Sequence, residues 1–390
     1  MSFELIDSQD SLEALARRVR DAQRVALDTE FHTERTYSPR LMVVQLAFDD
    51  GEAIVDPLAI EDLSPLLSAL DATLVIGHAL SSDLKIFAER FDSVPSSVFD
   101  TQVAAAFLGF GMQISLADLV RDLRGVRLAK SQTVSDWSTR PLSERQLEYL
   151  VDDVVHLLPM YDALVQRLQT QGRYAWAMEE SAALGGIERY RADDRRAYLR
   201  IPGAMRMNRR ELGVLSEVVK LRDALARERD LPLKYIMAED IVAGIATLRP
   251  KRVEDLAQLR RLEAGVRRQF GQAIVDAVAR GEALPEDALP QRPQRPLGTS
   301  RDTVAAVMGV LVGEIARTHE LPPSLLVPRA SLERVAREVP GDRAALEAAL
   351  GISSWRAGLV VEPLWRLLSG ELHLKIEGYA AGDPKILLSP

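Results

Sequence analysis

The stretch RVALDTEF at residues 24–31 decides the fold when it is read together with LMVVQLAF (41–48) and EAIVDP (52–57). All three runs have strand length and are rich in β-branched and aromatic residues. The turn FDDG at 48–51 leaves room only for an antiparallel return, so a three-stranded meander is predicted. A helix near 61–70 follows, then a short buried strand TLVIGH (73–78), a helix over 82–91 and a last strand SVFDT (97–101). Helices continue to about residue 190. A meander that runs on into strand–helix–strand units predicts an α/β domain, a mixed sheet with flanking helices, over residues 1–200.

Beyond residue 200 the strand signal disappears. LSEVVKLRDALARERDLP, AEDIVAGIATLRP and VEDLAQLRRLEAGVRRQFGQAIVDAV all carry apolar residues at helical spacing. The proline-rich QRPQRPLGTS (291–300) reads as a linker. A second helical set then repeats the order of the first: a long helix, an LP break (DLP at 230–232, ELP at 320–322), a short helix, a proline, then helix–glycine–helix. This weak internal repeat predicts two copies of one small all-α module, over 201–290 and 291–390.

At 390 residues the chain is long enough for two or three domains. It has no cysteine, which excludes a disulfide framework, a thiolate zinc site and a cysteine nucleophile. The five histidines show no close metal-ligand spacing. No apolar run approaches a membrane span, and the acidic N-terminus MSFELIDSQD lacks the order of a signal peptide, so a cytoplasmic protein is expected. A net charge of −8 argues against indiscriminate coating of nucleic acid but leaves room for local basic patches.

The chemistry lies in the acids. Residues i and i+2 of a strand share a face, so Asp28 and Glu30 project side by side. Two ionised carboxylates so placed imply a cation between them or one raised pKa; the alternative is a solvent-facing strand end. Oxygen-only ligands point to Mg²⁺ or Mn²⁺ rather than zinc. Asp83 follows the strand TLVIGH, at a junction where α/β folds place ligands, with Ser81 or Ser82 available as the helix cap. Taken alone, it reads more readily as an acid complementing the helix dipole. In RPLSERQLEYLVDDVVHLLPMY, with Ser143 as cap, Tyr149 and Asp153 stand one above the other at i and i+4.

VALDTEF, the HxxxxD of HALSSDL and YLVDD together resemble the three exonuclease motifs of the DEDD superfamily, and the tyrosine four residues before the last aspartate is similar to its DEDDy branch. The phrases SQTVSDWSTRPLSERQLEYLVDDV and FDTQVAAAFLG resemble the ribonuclease D family, and the two helical repeats resemble HRDC domains, the second more divergent. The resemblance covers nearly the whole chain. It implies a ribonuclease H-like exonuclease domain followed by two HRDC-like domains, and a metal-dependent 3′→5′ exoribonuclease that trims structured RNAs such as tRNA precursors to release 5′-mononucleotides. It further implies that Asp28, Glu30 and Asp153 bind one metal ion, with Asp28 bridging to a second that Asp83 supports through water. Tyr149 would hold the attacking water, being too weak an acid to act as an ionised base without a large shift. Asp152 is read as a bystander.

Other residues are assigned by position. Phe31 either stacks on a terminal base or belongs to the core. His78, opening the second motif, either touches sugar or phosphate or holds the strand end. Lys130, Gln132 and Trp137 in AKSQTVSDW are expected to border the substrate groove, with Lys130 near phosphate and Trp137 packing more than stacking. Asp100 is expected to support the site from behind. The arginine-rich segments 191–210 and 251–268 are either phosphate contacts or solvated faces. No obligate protein partner is expected. Two other functions stay open: an exonuclease on DNA, since only contacts to the 2′-OH tell the sugars apart, and a non-catalytic nucleic-acid-binding protein, against which the full set of four carboxylates speaks.

Overall fold

The three runs of the meander pair in the predicted manner, inside a larger sheet. A computed structural model describes residues 3–33, 35–128, 136–191, 194–291, 298–352, 354–378, 380 and 385–389. Strand β1 (Phe3–Ile6) and helix α1 (Gln9–Asp21) lead into β2 (Arg24–His32), β3 (Arg40–Phe48) and β4 (Gly51–Val55). Then come α2 (Ser64–Asp71), β5 (Leu74–Gly77), α3 (Ser81–Phe91) and β6 (Val98–Asp100). Helices α4 (Thr101–Ala106), α5 (Leu116–Arg124), α6 (Glu144–Val155), α7 (Leu157–Thr170) and α8 (Tyr174–Ala182) complete the domain. The strand order is β1-β4-β3-β2-β5-β6. The β2–β3 and β3–β4 pairs are antiparallel and the outer pairs parallel, which makes the sheet mixed.

Burial on both faces explains why the central strands read as nearly continuous apolar runs. One face packs on α1, α2 and α3 through Leu12, Leu66 and Phe87. The other carries α6 over Val43 and Ile54, and α4, α5 and α7 over Ala26 and Ile76. Neither β1 nor α1 was expected from the sequence. Helix α1 follows from a Ser8 capping box and from Leu12, Leu15, Ala16 and Val19 buried at helical spacing.

The two helical sets share a layout down to their backbone breaks. The first is α9 (Arg209–Arg229), α10 (Leu233–Ile236), α11 (Glu239–Leu248) and α12 (Ala264–Ala283); the second is α13 (Thr299–Thr318), α14 (Pro323–Leu326), α15 (Arg329–Glu338), α16 (Arg343–Leu350) and α17 (Ser354–Leu368). Left-handed residues stand at matching places in both: Asp230 and Glu320 before the LP breaks, Arg249 and Val339 after α11 and α15. In the first module α9 and α12 cross so closely that a Cβ on Gly281 would lie 2.4 Å from the Val214 Cα.

The second module departs from the all-α expectation. It ends in a hairpin of β7 (His373–Glu377) and β8 (Lys385–Ser389). Five-residue strands that pair only with each other, with Ile376, Leu387 and Leu388 exposed, have no buried face to write an alternation into the sequence.

The modules attach differently. The first has its own core around Leu212, Ile245 and Ile274. The second shares one continuous core with the nuclease helices. Trp355 stacks on Trp176 with centroids 5.0 Å apart and meets the edge of Phe107 at 5.3 Å. Arg356 pairs with Glu180, its Nη2 donating at 2.6 Å, and Arg173 donates to the His319 carbonyl at 2.7 Å.

Candidate active site

Asp28 and Glu30 lie on β2, one residue apart on the same face. A bulge between Glu30 and Phe31 shifts the register just beyond them. Thr29 between them points to the other face, where its hydroxyl donates to Asp83 in the first turn of α3. Asp83 is buried. The predicted serine cap of that helix is corrected: Leu80 occupies the cap position with no side-chain bond. Asp100 holds the turn ahead of the helix. Its buried carboxylate accepts from the Ala79 and Leu80 amides at 3.0 and 2.9 Å and caps α4 through the Gln102 amide at 2.8 Å. That ties the end of β6 to the turn that delivers Asp83.

Helix α6 brings the remaining groups. Ser143 caps it in a box with Gln146, so the helix starts at a fixed place. Its Leu150 and Val151 pack on Val43 and Ile54 of the sheet, which turns Asp153 and Tyr149 toward β2. The Tyr149 phenol stands beside both Asp153 and Glu30, and Trp137 also reaches toward Glu30; both lower the Glu30 pKa, and Tyr149 lowers that of Asp153. Arg140 fixes the segment before α6: it donates to Asp56 at 2.7 Å, to the Met42 carbonyl at 2.9 Å and to the Trp137 carbonyl at 2.7 Å. This clamp joins the approach of α6 to the far edge of the meander.

The acids perturb one another. Burial, and then the charges of Asp83, Asp153 and Glu30, hold the Asp28 carboxyl well above the usual carboxylate range. Glu30 is pushed up to about 8 by burial and then by Asp153 and Asp83. Burial raises Asp83 to about 7, against the Thr29 hydrogen bond, and Asp153 to about 6, against the Tyr149 hydrogen bond. The Tyr149 phenol moves up as well, through burial and then Asp153, so it stays protonated at neutral pH. Four carboxylates, each with its ionisation disfavoured by burial, form a site that a cation stabilises.

The donor set is all oxygen, which suits a hard divalent ion. Among the described residues no three His, Asp or Glu side chains are gathered tightly enough to form a finished cage, so an ion that binds must draw the carboxylates inward. One buried group nearby has unmet hydrogen-bonding capacity. Gln45 of β3 is fully buried, and among the described residues neither its amide nitrogen nor its oxygen has a partner. Such a group ordinarily costs about 1–3 kcal/mol.

The family model described as 3′-5′ exonuclease matches residues 3–169, and that of the HRDC domain matches residues 211–278. The chain is 36% identical over 384 residues to ribonuclease D of Granulibacter bethesdensis, covering 96% of this chain and 94% of the relative. It belongs to the ribonuclease D family. Ribonuclease D of Gluconacetobacter diazotrophicus is 35% identical over 379 residues, 96% of this chain and 95% of that one. The structure of Escherichia coli RNase D, an exoribonuclease involved in structured RNA processing, superposes with a TM-score of 0.84 at 31% identity, covering 95% of this chain and 99% of that chain. As a ribonuclease D the chain belongs to a divalent-metal-dependent class of nuclease, which the donor set fits.

In this ribonuclease D the residues assigned by position fall into place unevenly. Phe31 is half-buried against the core on the face away from the acids. His78 uses both ring nitrogens internally: Nε2 donates to the Ile114 carbonyl at 2.9 Å and Nδ1 faces the Thr101 hydroxyl at 2.9 Å. Trp137 is 5% exposed, its ring 5.7 Å from that of Tyr149. Lys130 and Gln132 lie outside the described residues. Of the two arginine-rich segments, Arg209 and Arg210 in the first donate to carbonyls at the end of α12 and just beyond it and so hold the first module together, while Arg260 and Arg268 in the second are exposed. Sequence reading missed Thr29, Arg140 and Gln45. Only Gln45 left a signal, as the one polar letter inside LMVVQLAF.

Proposed function

We propose that this chain is a metal-dependent 3′→5′ exoribonuclease that trims the 3′ ends of structured RNA, tRNA precursors in particular, in the cytoplasm. It releases 5′-mononucleotides by hydrolysis and needs no protein partner. The supporting observation is the convergence of Asp28, Glu30, Asp83 and Asp153 from three separate elements, with the Tyr149 hydroxyl beside Glu30 and Asp153. Two divalent ions, Mg²⁺ or Mn²⁺, supply the activation of water and the neutralisation of charge at the scissile phosphate when bound.

The protein's own groups set the geometry. Asp28, Glu30 and Asp153 would hold one ion, and Asp28 and Asp83 would serve the second. Tyr149 keeps its proton and orients the attacking water by accepting or donating a hydrogen bond, while Trp137 and Tyr149 together fix Glu30. Of the two helical modules, divided near residues 200 and 290, the first contributes to holding RNA through exposed arginines such as Arg260 and Arg268, and the second serves as scaffolding.

The test is a gel assay of a 5′-labelled tRNA precursor with extra 3′ nucleotides, run with Mg²⁺, Mn²⁺ or EDTA beside the Asp28→Asn variant. A ladder shortening from the 3′ end, absent with EDTA and in the variant, is the expected result. Unchanged RNA in every lane, still retained by the protein, sinks the catalytic reading.

A further inference from the structure

Gln45 and Asp28 are direct partners in the β2–β3 ladder. Residues opposite each other in an antiparallel pair point to the same face, with Cβ atoms about 4.5–5.5 Å apart. The amide of Gln45 therefore stands beside the first carboxylate of the site. Its other neighbours on that face are apolar: Val43 and Ala47 along the strand, and Ile54 across it on β4. An apolar side chain of the same volume would suit this position better if packing were its whole role, because neither polar atom of the buried amide is satisfied among the described residues.

We propose that Gln45 is a positioning residue for the metal site: its side-chain N–H donates to the Asp28 carboxylate when a divalent ion draws that carboxylate into place, and fixes its orientation toward the ion. The inference rests on the metal-dependent reading above. It assigns the unused hydrogen-bonding capacity of Gln45 to the loaded state, and it follows the general pattern in which the groups behind a ligand set its orientation.

The experiment titrates Mn²⁺ into the full chain by calorimetry and follows thermal unfolding in EDTA, for wild type, Gln45→Met and Asp28→Asn. The expected result for Gln45→Met is Mn²⁺ binding weakened about 10-fold or more, a comparable fall in kcat on single-stranded RNA with KM unchanged, and a Tm in EDTA equal to or above wild type. Mn²⁺ affinity and kcat within twofold of wild type overturn the proposal. If Gln45→Met does not fold, Gln45→Asn, which keeps an amide but is one methylene shorter, carries the same criterion. Asp28→Asn separates the two levels. If it binds Mn²⁺ as wild type does, the metal-site reading itself fails; if it loses binding while Gln45→Met does not, only the role of Gln45 fails.

Discussion

The Tyr37 hydroxyl donates to the Asp223 carboxylate at 2.6 Å. Tyr37 sits on the connection between β2 and β3, and Asp223 on α9, so the loop leaving the carboxylate-bearing strand is latched to the first helical module. The Tyr37 amide adds a bond to Asp230 at 3.1 Å, and the Arg227 guanidinium lies 5.1 Å from the ring centre. Burial and Asp223 push the phenol up to about 12, so the latch keeps its donor at any physiological pH. Replacing Tyr37 by Phe should cost about 1 kcal/mol and raise amide hydrogen exchange over residues 35–39 and the end of α9. Unchanged exchange would show that the latch is not a coupling.

The Tyr149 hydroxyl stands beside Glu30 and Asp153 while its ring packs beside Trp137. Tyr149→Phe keeps the packing and removes the hydroxyl. Single-turnover hydrolysis should slow on the order of 100-fold, with Mn²⁺ affinity changed little. Because the phenol is shifted upward, the rate should show no inflection from its ionisation up to pH 9; such an inflection would assign it a base role instead.

The raised carboxyls make metal-free stability depend on pH with a definite sign. A carboxyl whose folded pKa exceeds its unfolded value binds its proton more tightly when folded. Its contribution is full below about pH 4 and is lost as pH rises through the folded values, about 6 for Asp153, 7 for Asp83 and 8 for Glu30. In EDTA the wild type should therefore lose Tm relative to Asp28→Asn as pH climbs from 5 to 8. Mn²⁺ should restore it, most at pH 8, where the ligands are ionised. Parallel curves for the two proteins would refute the coupling.

Gly281 permits the α9–α12 crossing. A methyl there would meet the Val214 backbone at 2.4 Å and the Gly213 carbonyl oxygen at 2.9 Å, neither of which can swing aside. Gly281→Ala should destabilise the first module by about 1–3 kcal/mol, read as an earlier urea transition. A gain in stability, as an exposed helical glycine gives, would mean the helices separate freely.

The parts that were legible in the sequence are those whose signal is local. Strands β2 to β6 announce themselves by composition, and the Ser143 cap and the Tyr149–Asp153 spacing sit within one helix. What stayed hidden depends on partners far along the chain. Strand β1 is four residues long and owes its identity to β4. The turn into α3 is held by Asp100 from another strand, and no side chain caps the helix, so two serines at the right place were misleading. Thr29 gains its role only once Asp83 is brought beneath it. Arg140 looks like a surface cation until the fold places Asp56 against it.

The shared core between the nuclease helices and the second module bears on how the chain is made. Synthesis runs from the N-terminus, so Phe107 and Trp176 emerge from the ribosome long before Trp355, which covers them. The domain translated first keeps an apolar flank bare until the last quarter of the polypeptide appears. A nascent chain interrupted before α17 is left with that flank unsealed, and a premature stop there removes more than a C-terminal accessory.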